Sequence, residues 1–464
     1  MAARLRARWL DLVDGFWFVP AAVALAYVFL ALGLIAIDRS GGDGGVDAAF
    51  GGDAEAARGI LSTIAGSLIT VAGLTFSLTI VVLTLVSSQF STRVVRNLLA
   101  DRVNQIVAGS FTGLFAFCLI VLRTVRDPQP PEPEFVPALS VSVSIVLALF
   151  SLALLLVFIH HMGTSIQAPQ IAARVGRATL AAIEQLYPEP YGHAVETKGE
   201  ALVEEWEADG APGLVFPKRA GYVREIVLDD IAEHLGEAGA HAHVRVCPGD
   251  FVTENQAILA VWPTNDLPED AVEPLRRACH VAKARDLRQD AAYGIRQLAD
   301  VALKALSPGI NDPTTAATCV SYLRAVLEEI AGRASPSDVR LDPESGIALV
   351  VRRFTFDELV SDAFDEVARY SADNARVTVA VLDALAGVAG VAVRVQAYER
   401  TTVILQVGRA AAEAALTEAR TERDQAAVQR ALERLEGVAG GTAPAPGGKG
   451  EMFPPAQGGG RATY

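Results

Sequence analysis

Eight hydroxyl side chains interrupt the apolar run SLITVAGLTFSLTIVVLTLVSS at residues 67–88: Ser67, Thr70, Thr75, Ser77, Thr79, Thr84, Ser87 and Ser88. Taken with Thr63, the positions Thr63, Ser67, Thr70, Ser77, Thr84 and Ser88 are separated by 4, 3, 7, 7 and 4 residues. That is helical spacing, so these hydroxyls share one face. Gly66, Thr70, Gly73 and Ser77 add a ridge of small residues to it. Such a face can line a water-filled pore, because hydroxyls solvate ions without a charge at mid-membrane. It can equally serve helix packing, because small residues let membrane helices approach closely. The hydroxyls can also bond carbonyls of their own helix. The spacing leaves these readings open.

The densest polar chemistry lies later, in RDLRQDAAYGIRQLADVALKALSPGINDPTTAATCVSYL at 285–323. On a helix, Arg285, Gln289, Arg296, Asp300 and Lys304 fall near one stripe, and Ser307-Pro308-Gly309 ends the helix. Asp312 then reads as an N-cap with Pro313 at the first helical position, and the free amides of that helix could hold an anion. The functional reading is a polar pocket at a helix–loop–helix junction built from Arg288, Gln289, Asp290, Asp300, Ser307, Asn311 and Asp312. The competing reading is a salt-bridged face followed by a well-capped turn. His160-His161 point about 100° apart on a helix and read as an interfacial pair. His241 and His243 can share a strand face but lack further ligands at metal spacing. Walker, Rossmann, GxSxG and HExxH motifs are absent from the sequence. No cofactor and no metal site is expected.

These groups need elements to hold them. Four apolar runs, 16–37, 60–86, 106–122 and 136–159, are candidate transmembrane helices. The second would be roughly 40 Å long and so tilts or projects beyond the bilayer. The first is too long for a signal-peptide core. None carries an ionisable residue deep in its centre, which argues against a proton-coupled transporter or voltage sensor. Arg4, Arg6, Arg8, Arg93, Arg96, Arg102, Arg174 and Arg177 fall on one side, and Arg39, Arg58, Arg123 and Arg126 on the other. The positive-inside rule then places both termini in the cytoplasm of an inner-membrane, multi-pass protein. In QFSTRVVRNLLADRVNQ, Arg93, Arg96 and Arg102 alternate with apolar residues, as in an interfacial helix that could act as a gate. An ordinary basic loop is the competing reading.

The chain has 464 residues, 51% hydrophobic, with a formal net charge of -14, which argues against a nucleic-acid surface. Four scattered cysteines form no CxxC pair, so a reduced compartment is expected. The expected fold is an α-helical transmembrane bundle of four spans over residues 1–162, followed by a mixed α/β cytoplasmic region. That region divides into a helical connector at 163–212, a small β-module at 213–262 and a mixed domain at 263–436. Within the module, Pro248-Gly249-Asp250-Phe251-Val252 has the look of a barrel-sandwich hybrid over about fifty residues, without the modified lysine a carrier needs. In the mixed domain the pattern is helical at 267–332, extended at 346–353 and helical at 356–371 and 374–388. Thr355 and Glu358 form a capping box. A strand pair is expected at 391–407 and a charged helix at 409–436. The low-complexity tail, 437–464, reads as disordered.

Two stretches together, GSLITVAGLTFSLTIVVLTLVSSQFSTRVVRNLLADRVNQ and RQDAAYGIRQLADVALKALSPGINDPTTA, resemble the bacterial predicted membrane proteins grouped as domain of unknown function 2254. The resemblance implies a multi-spanning inner-membrane protein with a cytoplasmic C-terminal region. It implies no reaction or catalytic residue. It draws attention to Ser87, Gln89, Phe90, Arg93, Arg96, Gln289, Asp290, Gly294, Asp300, Ser307, Pro308, Gly309, Asn311, Asp312 and Pro313, without assigned roles.

Three functions compete. The first is a homo-oligomeric channel or pore lined by the second span, with a cytoplasmic regulatory body; its partners are the lipid bilayer, further copies of the chain and an ion or small-molecule ligand. The second is a membrane-anchored ligand sensor or scaffold. The third, a membrane enzyme using Asp290 or Asp312, is the weakest, and no enzyme activity is expected.

Overall fold

The computed structural model describes residues 17–40, 50–89, 101–127, 135–165, 167–187, 199–236, 239–263, 269–287, 289–335, 337–341 and 348–443. It divides into two compact units, Met1–Ile171 and Ala172–Tyr464.

The first unit is built from four long helices: α1 (Phe18–Ser40), α2 (Ala54–Gln89), α3 (Arg102–Leu122) and α4 (Ala138–Ser165). They follow the four expected runs, with α2 extended at both ends. Helices are the form such apolar runs take in lipid, because each backbone N–H and C=O is bonded within its own segment. α3 is the centre of the bundle. Phe111, Leu114, Phe117, Cys118 and Val121 on it pack against Ala31 and Ile35 of α1, Leu61 and Leu68 of α2, and Val141 and Phe158 of α4. Polar ties close the helix ends. Asp38 at the end of α1 accepts from the Leu139 and Ser140 N–H groups at the start of α4 (3.0 and 3.1 Å). That puts a carboxylate at a helix N-terminus, where the dipole favours it. Arg58 of α2 grips both oxygens of Asp127 at 2.7 and 2.8 Å.

The second unit contains α5 (Ala168–Leu186), α6 (Gly199–Asp209), α7 (Leu228–Gly236), α8 (Glu269–Ala278), α9 (Ala291–Leu306), α10 (Pro313–Ala331), α11 (Phe356–Tyr370), α12 (Ala375–Arg394), α13 (Glu399–Glu418) and α14 (Glu422–Ala439). Its strands are β1 (Gly213–Val215), β2 (Gly221–Ile226), β3 (His241–Val244), β4 (Phe251–Val252), β5 (Leu259–Trp262), β6 (Cys279–Ala282), β7 (Val339–Leu341) and β8 (Ala348–Val351). They form a five-stranded sheet, β1-β5-β3-β8-β7, and a three-stranded sheet, β4-β2-β6. The β3–β8 pair is parallel and the other pairs are antiparallel. Val223, Val252 and Val281 of the small sheet share one core with Val244, Val261 and Leu349 of the large one. On the outer face of the large sheet, Trp206 of α6 packs against Trp262, Val339 and Val350.

Several expectations are corrected. The β-region does not close within 213–262, because β6, β7 and β8 come from later sequence and complete both sheets. β6 also interrupts the stretch expected to be helical at 267–332. The expected strand pair at 391–407 is helical. There α12 ends with Ala397 donating to Ala392 O (2.8 Å) and Gln396 donating to Val393 O (3.0 Å), with Gln396 at φ 64°. That is a Schellman stop. The β-branched residues beyond it enter α13, where Val403, Ile404 and Val407 are buried at helical spacing. Packing has overridden local β-propensity. The charged helix expected at 409–436 is split between α13 and α14, because Thr421 caps a new start by accepting from Asp424 N–H (3.1 Å). α14 runs past 436 to Ala439, and 444–464 lie outside the described residues. The Thr355–Glu358 capping box is present. Among the described residues five helices, not four, are long and apolar enough to cross a membrane by length and composition, the fifth being α12. Val381, Leu382, Leu385 and Val388 of α12 are fully buried within the second unit.

Candidate functional site

On α2, Thr63, Ser67, Thr70, Ser77 and Thr84 stand on one exposed face. Four of them donate to carbonyls of their own helix: Thr63 to Gly59 (2.7 Å), Ser67 to Thr63 (2.8 Å), Thr70 to Gly66 (3.1 Å) and Thr84 to Ile80 (2.9 Å). Their protons are therefore spent locally, while oxygen lone pairs remain outward. Gly59, Gly66 and Gly73 lie on the same ridge, and a methyl group added at any of them would meet nothing within 4 Å. Thr75 and Thr79 turn inward and bond Ala72 O and Thr75 O. The side chain of Ser88, and Arg93 and Arg96 of the expected gate, lie outside what is described. Arg102 is the exposed first residue of α3. Beside it Asp101 caps α3, accepting from Val103 N–H (2.9 Å), and meets His161 Nε2 at 2.9 Å. His161 is thus bound to the bundle rather than merely resting at an interface. Nothing in the spacing of 60 residues signals that pair.

The residues expected to form one pocket in the second unit are divided by α9. That helix has 16 residues, about 24 Å at 1.5 Å per residue. At its start, Asp290 is the N-cap, accepting from Tyr293 N–H (2.9 Å) and from both arms of Arg285 (2.7 and 2.9 Å). Burial pushes the Asp290 carboxyl up, and Arg285 and the Tyr293 amide pull it back. Gly249, at φ 99°, sits so close that a β-carbon there would strike Asp290 and Arg285. This is the physical reason for glycine in the Pro248-Gly249-Asp250 turn. Gln289 accepts from Ile226 N–H (3.0 Å). Arg288 lies outside the described residues. Further along, Asp300 pairs with Arg296 at 3.0 Å. At the far end, Ser307 caps the helix and Asn311 turns the chain at φ 47°. Asp312 accepts from the Thr314 and Thr315 N–H groups and the Thr315 hydroxyl at 3.1, 3.0 and 2.6 Å. The amides expected to hold an anion at α10 are met by this carboxylate. The Ser307–Pro313 motif is therefore a turn joining α9 to α10, and Gly294 lets α9 approach Thr179 of α5.

One residue of the expected pocket, Gln289, lines a real cavity of about 550 Å³. Its wall includes Tyr187 from the end of α5, Cys247, the first residues of α9 (Ala291 and Ala292), Ser335, Ser337 and the run Val351–Phe354 after β8. Arg340, Arg352 and Arg353 are its cations. Sequence reading missed them. The signal was Arg352-Arg353 directly after an apolar strand, where neighbouring side chains point to opposite faces. Arg352 is exposed and pairs with Asp250 at 2.8 Å, whereas Arg353 is half-buried. Burial pushes the Cys247 thiol up to about 12, so it is no nucleophile at neutral pH. His241 is not a ligand in waiting: its ring stacks on Trp206 at 5.1 Å and Nδ1 accepts from Ala348 N–H (3.1 Å).

The model of the family described as "Predicted membrane protein (DUF2254)" matches residues 14–387. An uncharacterized protein of Mycobacterium tuberculosis is 35% identical over 343 residues, covering 72% of this chain and 64% of that protein. An uncharacterized protein of Mycobacterium bovis matches to the same extent. The matched part thus spans less than two thirds of the length of these relatives. No solved structure matches the chain.

Proposed function

The chain belongs to the DUF2254 family of predicted membrane proteins, and from that premise we propose that it is an oligomeric channel or pore of the inner membrane. α1 to α4 cross the bilayer, both termini are cytoplasmic, and the second unit is a cytoplasmic regulatory body. α12 stays in that body, because its apolar residues are already covered by neighbouring helices. The observation that supports the pore is the face of α2: five exposed hydroxyls and three open glycines stand where nothing among the described residues covers them. Helices from several copies meeting on this face would place hydroxyl oxygens along a shared path.

The test is single-cysteine accessibility in native membranes. Cys118, Cys247, Cys279 and Cys319 are replaced, and single cysteines are placed at positions 67, 70, 77 and 84. The expected result is rapid modification at several depths by a small membrane-impermeant thiol reagent, together with cross-linked oligomers. A monomer in native membranes, with all four positions protected, overturns the reading. A second reading, a membrane-anchored ligand sensor, is favoured by the cavity in the body.

A further inference from the structure

We propose that the cavity of the second unit is a binding site for a phosphate-bearing small molecule of mononucleotide size, with Arg353 as its inner cation. This rests on the sensor reading of the body and is independent of the pore.

Size is the first argument. A cavity of about 550 Å³ lies within the range of small-molecule sites, roughly 300–1,000 Å³, and is far larger than one bare anion requires. Charge is the second. Arg353 Nε donates to Ser337 O at 3.2 Å, and no carboxylate forms an ion pair with Arg353 among the described residues. A guanidinium has five N–H donors, so most of its capacity is uncommitted. Burial, first, and the neighbouring Arg340 work against its charge, and Asp338 offsets them only in part. A bound dianion would reverse that penalty, and the planar fork suits two phosphate oxygens at once.

The surroundings agree. Ala291 and Ala292 bring the N-terminal turn of α9 to the wall, where the helix dipole favours an anion. Its Asp290 cap is offset by Arg285. At the mouth, the exposed cations Arg340 and Arg352 stand beside the carboxylates Glu225 and Asp229. Asp250 holds Arg352, and Asp229 lies only at the 4.0 Å limit from Arg340. The mouth is thus close to balanced, and inside it Arg353 has Asp338 in its field without an ion pair to it. Leu186, Val227, Val339, Phe354 and Leu359 supply an apolar wall, which a bare inorganic ion would leave unused. That combination, a cation and an apolar wall, selects an amphipathic ligand with a phosphate at one end.

The experiment measures binding to the full chain purified in detergent, by titration calorimetry and by tryptophan fluorescence of thermal unfolding. The probes are inorganic phosphate, adenosine monophosphate, and phosphatidic acid in mixed micelles, the last separating a lipid headgroup from a soluble ligand. Adenosine monophosphate is expected to bind and raise the unfolding midpoint, with inorganic phosphate about tenfold weaker or more. Arg353→Gln should weaken binding about tenfold or more. Arg340→Gln, an exposed change that leaves folding intact, should weaken it about threefold through the longer-range field. Arg434→Gln, on a remote surface pair, should change nothing. Preference for phosphatidic acid assigns the phosphate to lipid and keeps the site. Absence of binding by all three probes, or unchanged affinity in Arg353→Gln and Arg340→Gln, overturns the proposal. Neither readout depends on oligomer or conduction, so failure of the pore leaves this result intact.

Discussion

Two glycine ridges in the apolar unit have the same chemistry and opposite surroundings. On α3, Gly109 and Gly113 are spaced as a GxxxG pair and are covered. A β-carbon at Gly109 would lie 2.8 Å from Pro20 Cα, and one at Gly113 would lie 2.9 Å from Ala24 Cα. Both contacts are with the backbone of α1, which cannot swing aside. On α2, Gly59, Gly66 and Gly73 are spaced by seven and meet nothing. The covered ridge shows what such a surface does when it finds a partner: it lets two helices approach until their backbones touch. The open ridge has the same capacity and meets no partner among the described residues. The comparison teaches that a small-residue pattern states how closely something can approach, not what approaches.

The comparison breaks most severely at the covered ridge. Gly113→Leu forces a side chain into the backbone of α1, and the expected cost is about 3 kcal/mol. Thermal unfolding of the detergent-solubilised chain checks it, with loss of folded protein the expected extreme. A Gly113→Leu protein as stable as the parent would mean that α1 and α3 are not packed this way. Next comes the open ridge. Gly66→Leu with Gly73→Leu should not lower single-chain stability, since no described residue lies within 4 Å of a β-carbon at either position and leucine is the better helix former. It should weaken self-association about a hundredfold, about 2.8 kcal/mol, read by cross-linking in native membranes. Unchanged cross-linking would remove α2 from the interface between copies.

Much of the architecture was readable from the residues, and the reasons are local. The four apolar runs, the Thr355–Glu358 box and the Asp312–Pro313 start each depend on residues within a few positions of one another. What stayed hidden depends on distance. β6, β7 and β8 join sheets begun far upstream, and short apolar runs carry no mark of their partner. The helical fate of 391–407 was decided by burial in the helical part of the body, against β-branched composition. At the candidate sites the same division holds. The face of α2 follows from helical periodicity, but its exposure does not. Gln289, Asp290, Asn311 and Asp312 were grouped because they flank one motif, yet a helix of 16 residues holds the first two apart from the last two. Arg353 escaped notice because its role needs β8, α5 and α9 together.

The contrast of covered and uncovered groups recurs at the two carboxylate caps, with a smaller expected effect. Asp290 is sealed against Arg285 and Gly249, and burial pushes its carboxyl up. Asp312 stands at an open turn, where the Thr315 hydroxyl, then the Thr315 and Thr314 amides, hold its carboxyl below its ordinary 3.8. A group lowered in the folded chain adds stability above its unfolded value. That contribution fades as pH falls through 3.8 and the still lower folded value. Asp312→Ala should therefore cost about 1 kcal/mol at neutral pH and less once the pH is well below the folded value, where only the neutral carboxyl's N–H bonds remain. Asp312→Asn keeps the cap, because an amide oxygen can accept the same N–H bonds, but lacks the charge, and so should fall between Asp312→Ala and the parent at neutral pH while losing part of the parent's acid sensitivity. Thermal midpoints of the full chain between about pH 2 and pH 7 separate the cases. A difference between Asp312→Ala and parent that stays constant with pH would mean that the charge of Asp312 contributes nothing and that the cap acts through its hydrogen bonds or packing alone.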